Sequence, residues 1–292
     1  MKILVISDEK KGHENQSLGL AEALLRRRPG SYELVSCNKP IKLDNNSHFD
    51  LAISAGTRTH PFLLRWSRAL RCSSVVIMKP SLFPSFLFSF CLIPQHDFKP
   101  DASETHRRRL TKGSLNRIPE EYPPKEACGL ILIGGPSKHY RWEETPIIEA
   151  IKRIISARPD LTWTLGDSRR TPESTRRALL QLELPISFVS HQAASSDWLP
   201  QELLRSSEAW VSPDSASMLS EALTAGCRLG TLPLPGLDTR VSRAHDRFAT
   251  EGYLTPFAKW EQLSPHEPLA LPPQPLHETA RCATWLLEQL DS

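Results

Sequence analysis

A short apolar run, a polar loop and an amphipathic helix follow one another twice in this chain, and that recurrence restricts the fold more than any other feature. The first copy begins with residues 2–6, Lys-Ile-Leu-Val-Ile, passes through the polar stretch 7–16, and enters a helix whose apolar positions include Leu18, Ala21, Leu24 and Leu25. Arg26, Arg27 and Arg28, then Pro29-Gly30, end it. Cations suit a helix C-terminus, and Pro-Gly cannot extend one. The second copy begins with residues 129–133, Gly-Leu-Ile-Leu-Ile, and turns through Gly134-Gly135-Pro136. Its helix, over 146–157, places Ile147, Ile148, Ile151, Ile154 and Ile155 on one face. Short uninterrupted apolar runs suit parallel strands buried on both faces. Further candidates lie at 50–54, 74–78, 89–93, 161–165, 186–190, 208–211 and 228–234. Strands alternating with loops and helices predict an α/β fold of two Rossmann-like, doubly wound domains.

A chain of 292 residues exceeds what one core usually serves. The expected division is a first domain over 1–125, a second over 126–275, and a final helix within 276–292 that packs back on the first. Residues 99–128, with His106-Arg107-Arg108-Arg109, Pro119, Pro123 and Pro124, read as the crossing between domains. Pro265, Pro268, Pro272, Pro273 and Pro275 form an extended tail before the last helix. Basic residues concentrate in the front: residues 1–125 hold 20 Lys and Arg against 12 Asp and Glu, and the remainder 16 against 21. That asymmetry suits an anionic partner, whether a phosphorylated glycan, a membrane surface or nucleic acid, or else a solvated basic face. No aromatic stacking platform accompanies it, so no specific nucleic-acid partner is expected. Six scattered cysteines without a Cys-x-x-Cys pair predict reduced thiols, no metal site and a cytoplasmic setting. The start of the chain turns polar too soon for a signal peptide, and no apolar run reaches membrane-spanning length. The Phe-rich segment 82–93 reads as a turn and a buried strand, or as a surface touching the inner membrane peripherally beside Arg65, Arg68 and Arg71.

The stretch 211–226, Val-Ser-Pro-Asp-Ser-Ala-Ser-Met-Leu-Ser-Glu-Ala-Leu-Thr-Ala-Gly, carries a strand end, small polar residues and a helix stopped by Gly226. Unpaired N–H groups at Ser215, Ala216, Ser217 and Met218 form a cradle for phosphate oxygens, and Glu221 one turn on is placed to accept from ribose hydroxyls. The plain alternative is an ordinary helix capped by Asp214 or Ser215. Gly134 and Gly135 permit close approach of backbone to a ligand. Ser168, Arg169 and Arg170 precede a helix with Thr171 as cap and Pro172 at its first position. The two arginines point either to solvent or to a diphosphate. His13 is the candidate general base, since imidazole titrates near neutrality. Glu14 would orient it or act in its place, and His139 and His96 are lesser candidates.

Four stretches in order, residues 11–16 (Lys-Gly-His-Glu-Asn-Gln), 134–142, 168–173 and 214–222, resemble the family named for a plant mitochondrial-fission factor. The resemblance covers nearly the whole chain and implies a glycosyltransferase-B-like (GT-B) fold of two facing lobes with a cleft between them. A looser similarity is to the N-acetylglucosaminyltransferase of the peptidoglycan lipid precursor. Gly12-His13 matches its Gly-His pair, Gly134-Gly135 its Gly-Gly-Ser loop, and Ser215 through Glu221 its donor helix; Asp8-Glu9-Lys10-Lys11 departs from its glycine-rich first loop. The resemblance implies a metal-independent glycosyltransferase with no cofactor, moving sugar from a nucleotide-sugar donor, UDP-linked by expectation, to a glycan or lipid of the cell envelope. The donor would lie against Gly134, Gly135, Ser137, Lys138, Ser168, Arg169, Arg170, Val189, Ser215–Met218, Glu221, Asp238 and Arg240, and the acceptor against Gly12, Asn15, Gln16, Gly56, Thr57 and His96. A nucleotide-sugar 2-epimerase or hydrolase of the same fold, or a non-catalytic scaffold, are the alternatives.

Overall fold

The computed structural model describes residues 1–40, 48–97, 103–263 and 266–292. Pro265 and residues 99–102 of the expected linker lie outside the described residues. The chain forms two compact units, Met1–Pro119 with His277–Ser292, and Glu120–Leu276.

In the first unit, in chain order, come β1 (Lys2–Ser7), α1 (Lys11–Arg27), β2 (Ser31–Ser36), β3 (Leu51–Ala55), α2 (His60–Ala69), β4 (Ser73–Ile77), β5 (Phe90–Pro94) and β6 (Arg108–Thr111). The strands form a sheet in the order β2-β1-β3-β4-β5-β6, every neighbouring pair parallel. Alternation along β1 divides its side chains between two cores, as the period of two in a strand requires. Ile3 and Val5 pack with Leu20 and Leu24 of α1. Leu4 and Ile6 pack on the other face with Leu63, Leu64 and Trp66 of α2. The C-terminal helix Glu278–Leu290 completes the first of these cores with Cys282, Ala283, Trp285 and Leu286, and Trp285 meets Phe90 edge-on at 5.7 Å. Thr279 Oγ1 accepts from Asn116 N and donates to Asn116 O, while Glu278 accepts from Lys112 N. The helix is therefore tied to its unit by directional bonds as well as by apolar area.

The second unit holds β7 (Glu126–Leu132), α3 (Glu144–Ala157), β8 (Thr162–Gly166), α4 (Glu173–Leu180), β9 (Ile186–Val189), α5 (Trp198–Arg205), β10 (Ser206–Val211), α6 (Ala216–Thr224), β11 (Arg228–Thr231), α7 (Arg240–Thr250), β12 (Thr255–Pro256) and α8 (Phe257–Trp260). Its parallel sheet runs β12-β11-β10-β7-β8-β9. The isoleucine face of α3 lies on Ile131, Ile133 and Trp163.

Several expectations are corrected. Residues 11–16 are the opening turns of α1 rather than part of a loop. Arg108 and Arg109 belong to a strand of the first sheet, not to the crossing between units, whose boundary falls after Pro119. Thr171 does not cap α4, which starts at Glu173 with Pro172 before it. Ser215 precedes α6 without a side-chain capping bond. The Phe-rich segment divides: Phe90 onward is buried strand, whereas Leu82 and Phe86 are exposed. Among the described residues no helix is long and apolar enough to cross a membrane.

Candidate functional site

Each sheet reverses its strand order at one place, and the carboxyl ends of the two strands there are the usual ligand position in open α/β sheets. In the first unit that place lies between β1 and β3. Ser7 and Asp8 are buried where β1 ends, and Glu9 takes a left-handed φ of 63° that turns the chain into α1. His13, on the first turn of α1, sets Nδ1 3.1 Å from both Asp8 carboxylate oxygens. The Asp8 carboxylate is fully enclosed while the His13 side chain is partly exposed. A carboxylate only accepts, so the ring nitrogen facing it carries the proton and Nε2 keeps a basic lone pair.

Asp8, rather than Glu14, therefore orients His13. Glu14 instead accepts from Ser7 Oγ at 2.7 Å, and Ser7 Oγ accepts from Glu9 N at 2.8 Å, a pair of bonds that fixes the loop. Gly56, after β3, lies against the imidazole with φ 89°; a Cβ there would stand 2.3 Å from His13 Nδ1. That glycine is required twice over, by its backbone conformation and by the ring beside it. Thr57, next along, lines the cavity with His13, and its Oγ1 meets Ser81 Oγ at 3.1 Å. Gly12 is exposed on α1 and its carbonyl accepts from Gln16 Nε2 at 3.3 Å, with Asn15 half-buried between them. His96 sits in the short turn Gln95–Asp97 after β5 and is not among the residues lining the cavity at His13.

In the second unit the reversal lies between β7 and β10. The loops leaving these strands are bonded to each other: Gly134 N donates to Ser212 Oγ at 2.7 Å and Gly135 N to Asp214 Oδ2 at 3.0 Å. A Cβ on Gly134 would stand 2.2 Å from Asp214 Oδ2, so only glycine allows this approach. A third loop joins them. Ser168 Oγ and Thr171 Oγ1 donate to Gly134 O at 3.0 and 2.6 Å. Arg170 donates to Gly135 O at 3.1 Å and pairs with Asp214 at 2.7 Å. Asp214 is enclosed, and its Oδ1 has no hydrogen-bond partner, so Arg170 is the charge that balances a buried carboxylate.

The structure thus brings Gly134, Gly135, Ser168 and Arg170 together, along with Ser212, Thr171 and Asp214, which were not among the expected ligand residues. Ala216, Ser217 and Met218 follow directly as the half-buried first turn of α6. Glu221 lies farther along that helix and is 5% exposed, enclosed rather than open to solvent. Arg169 and Lys138 are exposed, and Ser137 Oγ accepts from His139 N and Tyr140 N within its own turn. Val189 ends β9. Immediately beyond it, His191 Nδ1 meets Asp167 Oδ1 at 2.9 Å, and Asp167 Oδ2 accepts from Arg176 at 2.6 Å. Burial would raise the Asp167 carboxyl, but bonds from His191 N, Arg176 and the His191 ring hold it below the ordinary carboxylate value. Asp238 is exposed with φ 47° and pairs with Arg243, and Arg240 opens α7. That helix start is stitched to the β7 loop by His139 Nδ1 with Thr239 Oγ1 at 3.0 Å and Tyr140 OH with His245 Nδ1 at 2.9 Å. Among the described residues no group of three or more His, Cys, Asp or Glu is arranged to hold a metal ion.

The sequence profile of the mitochondrial fission ELM1 family matches residues 11–290. The chain belongs to that family. No curated protein matches the sequence. Among solved structures, a Listeria monocytogenes protein provisionally assigned as a UDP-N-acetylglucosamine 2-epimerase superposes with a TM-score of 0.61 at 14% identity, over 100% of this chain and 96% of its own. The UDP-GlcNAc 2-epimerase of Methanocaldococcus jannaschii, solved with UDP-GlcNAc and UDP, matches with a TM-score of 0.53 at 12% identity, over 99% and 100%. The glycotransferase of kitacinnamycin matches with a TM-score of 0.51 at 13% identity, over 99% and 92%. The ELM1-family chain accordingly has the GT-B architecture, two parallel-sheet α/β domains and a C-terminal helix, which glycosyltransferases and UDP-GlcNAc 2-epimerases share.

Proposed function

We propose that this ELM1-family protein is a glycosyltransferase in which the second unit holds a nucleotide-sugar and the first unit holds the acceptor and its base. The observation that carries the reading is the Asp8–His13 pair at the carboxyl end of β1. A direct transfer breaks the acceptor O–H bond, with the proton passing to His13 Nε2, while the acceptor oxygen bonds to the sugar's anomeric carbon. The bond from that carbon to phosphate breaks, and its electron pair leaves with the nucleoside diphosphate. Asp8 keeps the imidazole in the needed tautomer and stabilises the imidazolium that forms. The departing diphosphate would be met by the amides of Ala216, Ser217 and Met218 at the start of α6 and by Arg169 or Arg170. The UDP-bound structures of the same fold support a uridine nucleotide as donor; Val189 and the adjoining loop would lie against the base, Glu221 toward the ribose, and Asp238 and Arg240 toward the donor sugar or its phosphate.

The test is thermal unfolding with millimolar UDP-GlcNAc and UDP, followed by labelled UDP-sugars offered with envelope glycans or lipids. A rise in melting temperature with UDP and label transfer that needs an acceptor are expected; no rise with any nucleotide sugar would leave the scaffold reading in place. A second reading, a nucleotide-sugar 2-epimerase or hydrolase, is favoured by the UDP-GlcNAc 2-epimerases among the similar folds. Epimer or free sugar formed without acceptor would establish it instead.

A further inference from the structure

The crevice of the first unit contains a cavity of about 130 Å³ lined by Lys10, His13, Gly56, Thr57, Arg58, His60, Met78 and Lys79. Three lysine or arginine side chains and two histidines contribute to this wall, and no carboxylate among the described residues does. Asp8, behind His13, is already engaged by the His13 ring and by Lys10. Arg58 donates to a neutral amide, Asn38 Oδ1 at 3.2 Å, and Lys79 to a backbone carbonyl, Asp97 O at 3.2 Å. A small space lined by cationic side chains and by no carboxylate attracts an anion.

His60 supplies an independent sign. It is 1% exposed, lines this cavity, and its Nδ1 has no hydrogen-bond partner. A buried polar atom left so is costly and in native proteins is usually matched by a ligand or water. The backbone beside it is strained as well: Met78, a non-glycine residue on the wall, has φ 75°. Such strain persists where the surroundings enforce it, commonly at ligand sites. The space admits a tetrahedral oxyanion.

We infer that this cavity is an oxyanion subsite that takes one phosphate group of the acceptor beside the His13 base. The inference rests on the reading that the first unit receives the acceptor, and it narrows that acceptor to phosphorylated molecules. Arg58 and Lys79 supply the charge, His60 Nδ1–H the directional bond, and Gly56 the room.

Protein with ¹⁵N-labelled histidines is titrated in two arms, with inorganic phosphate and, in phosphate-free buffer, with phosphatidylglycerol vesicles. The imidazole signals of His60 and His13, assigned through His60→Phe and His13→Gln, should shift saturably while those of His139 and His191 in the second unit do not. The double variant Arg58→Met/Lys79→Met should weaken the response about tenfold or more, the loss expected for a charge-assisted bond; its circular dichroism and melting temperature report that it folds. A response to phosphate supports the subsite and points to a soluble phosphorylated acceptor. A response to vesicles alone supports it with a lipid headgroup as the source. No saturable shift in either arm, or equal affinity in the folded double variant, overturns the inference. UDP-induced stabilisation, measured separately, would still report on the donor reading, so the two fail independently.

Discussion

The crevices of the two units occupy the same topological position yet are built from opposite materials. At the first, the strand-end carboxylate Asp8 is turned on a titratable ring, His13, and the surrounding side chains are cationic. At the second, the strand-end carboxylate Asp214 is spent on the scaffold, receiving Gly135 N and the Arg170 guanidinium. One fold therefore carries, at the same topological position, a carboxylate–imidazole pair and a backbone loop braced by a carboxylate and a guanidinium. The choice is made by the loop that the buried aspartate faces, not by the sheet.

The sharpest way to break this contrast is to remove the ring. His13→Ala should lower kcat by roughly 10²–10⁴-fold with UDP affinity unchanged, as expected of a general base, and steady-state kinetics beside a nucleotide titration checks it. Asp8→Asn should reproduce much of that loss by favouring the wrong tautomer; equal loss of UDP affinity would erase the division of labour. At the other crevice, Arg170→Ala leaves Asp214 buried and unbalanced. Because the arginine is 43% exposed, its loss should cost about 1–3 kcal/mol, below the value for a fully buried pair. Denaturant unfolding measures this, and Arg170→Ala/Asp214→Asn should recover part of it. Gly56→Ala should cost about 1–2 kcal/mol through its positive φ and should lower kcat as His13 shifts, leaving UDP binding intact.

The smallest effect is on pH. Burial lowers the proton affinity of His60 below its ordinary value of 6.5. The unfolded chain then takes up a proton before the folded one, so stability is full above that value and falls as pH drops through it. His60→Phe should flatten the dependence of unfolding free energy between neutral pH and pH 5. The lowered Asp167 carboxyl acts in the same direction but farther into acid, below its ordinary value of 3.8.

The strands buried on both faces were legible because composition alone marks them: β3 is Leu-Ala-Ile-Ser-Ala and wholly buried. Of the edge strands, β9 was legible but β2 and β6 were not. In β2, Tyr32 and Leu34 are exposed and alternate with polar residues, and β6 reads Arg-Arg-Leu-Thr, a pattern indistinguishable from a basic linker. The start of α1 is unmarked for a physical reason as well: Lys10 makes no side-chain cap, and no Ser, Thr, Asp or Asn stands at the N-cap. Asp8 reaches His13 because residues 11–13 are helical, a pairing that a loop over that stretch does not show. Gly134, Gly135, Ser168 and Arg170 were legible as a group because glycine and arginine stand next to strand ends. Asp214 read as a helix cap, since nothing in a linear string shows that a glycine loop elsewhere in the chain donates to it.

The helix Glu278–Leu290 fills the core of the unit that begins at Met1, with Leu286 and Cys282 wholly buried there. During synthesis the leading unit consequently leaves the ribosome with Leu20, Leu24 and Phe90 lacking their final cover, and must wait until the entire trailing unit has been made. Order of emergence and order of completion are inverted: Glu120–Leu276 can finish first, although it is translated second. A nascent chain halted before Trp285 would expose that unfinished face, making it the point where chaperones or aggregation would compete with folding.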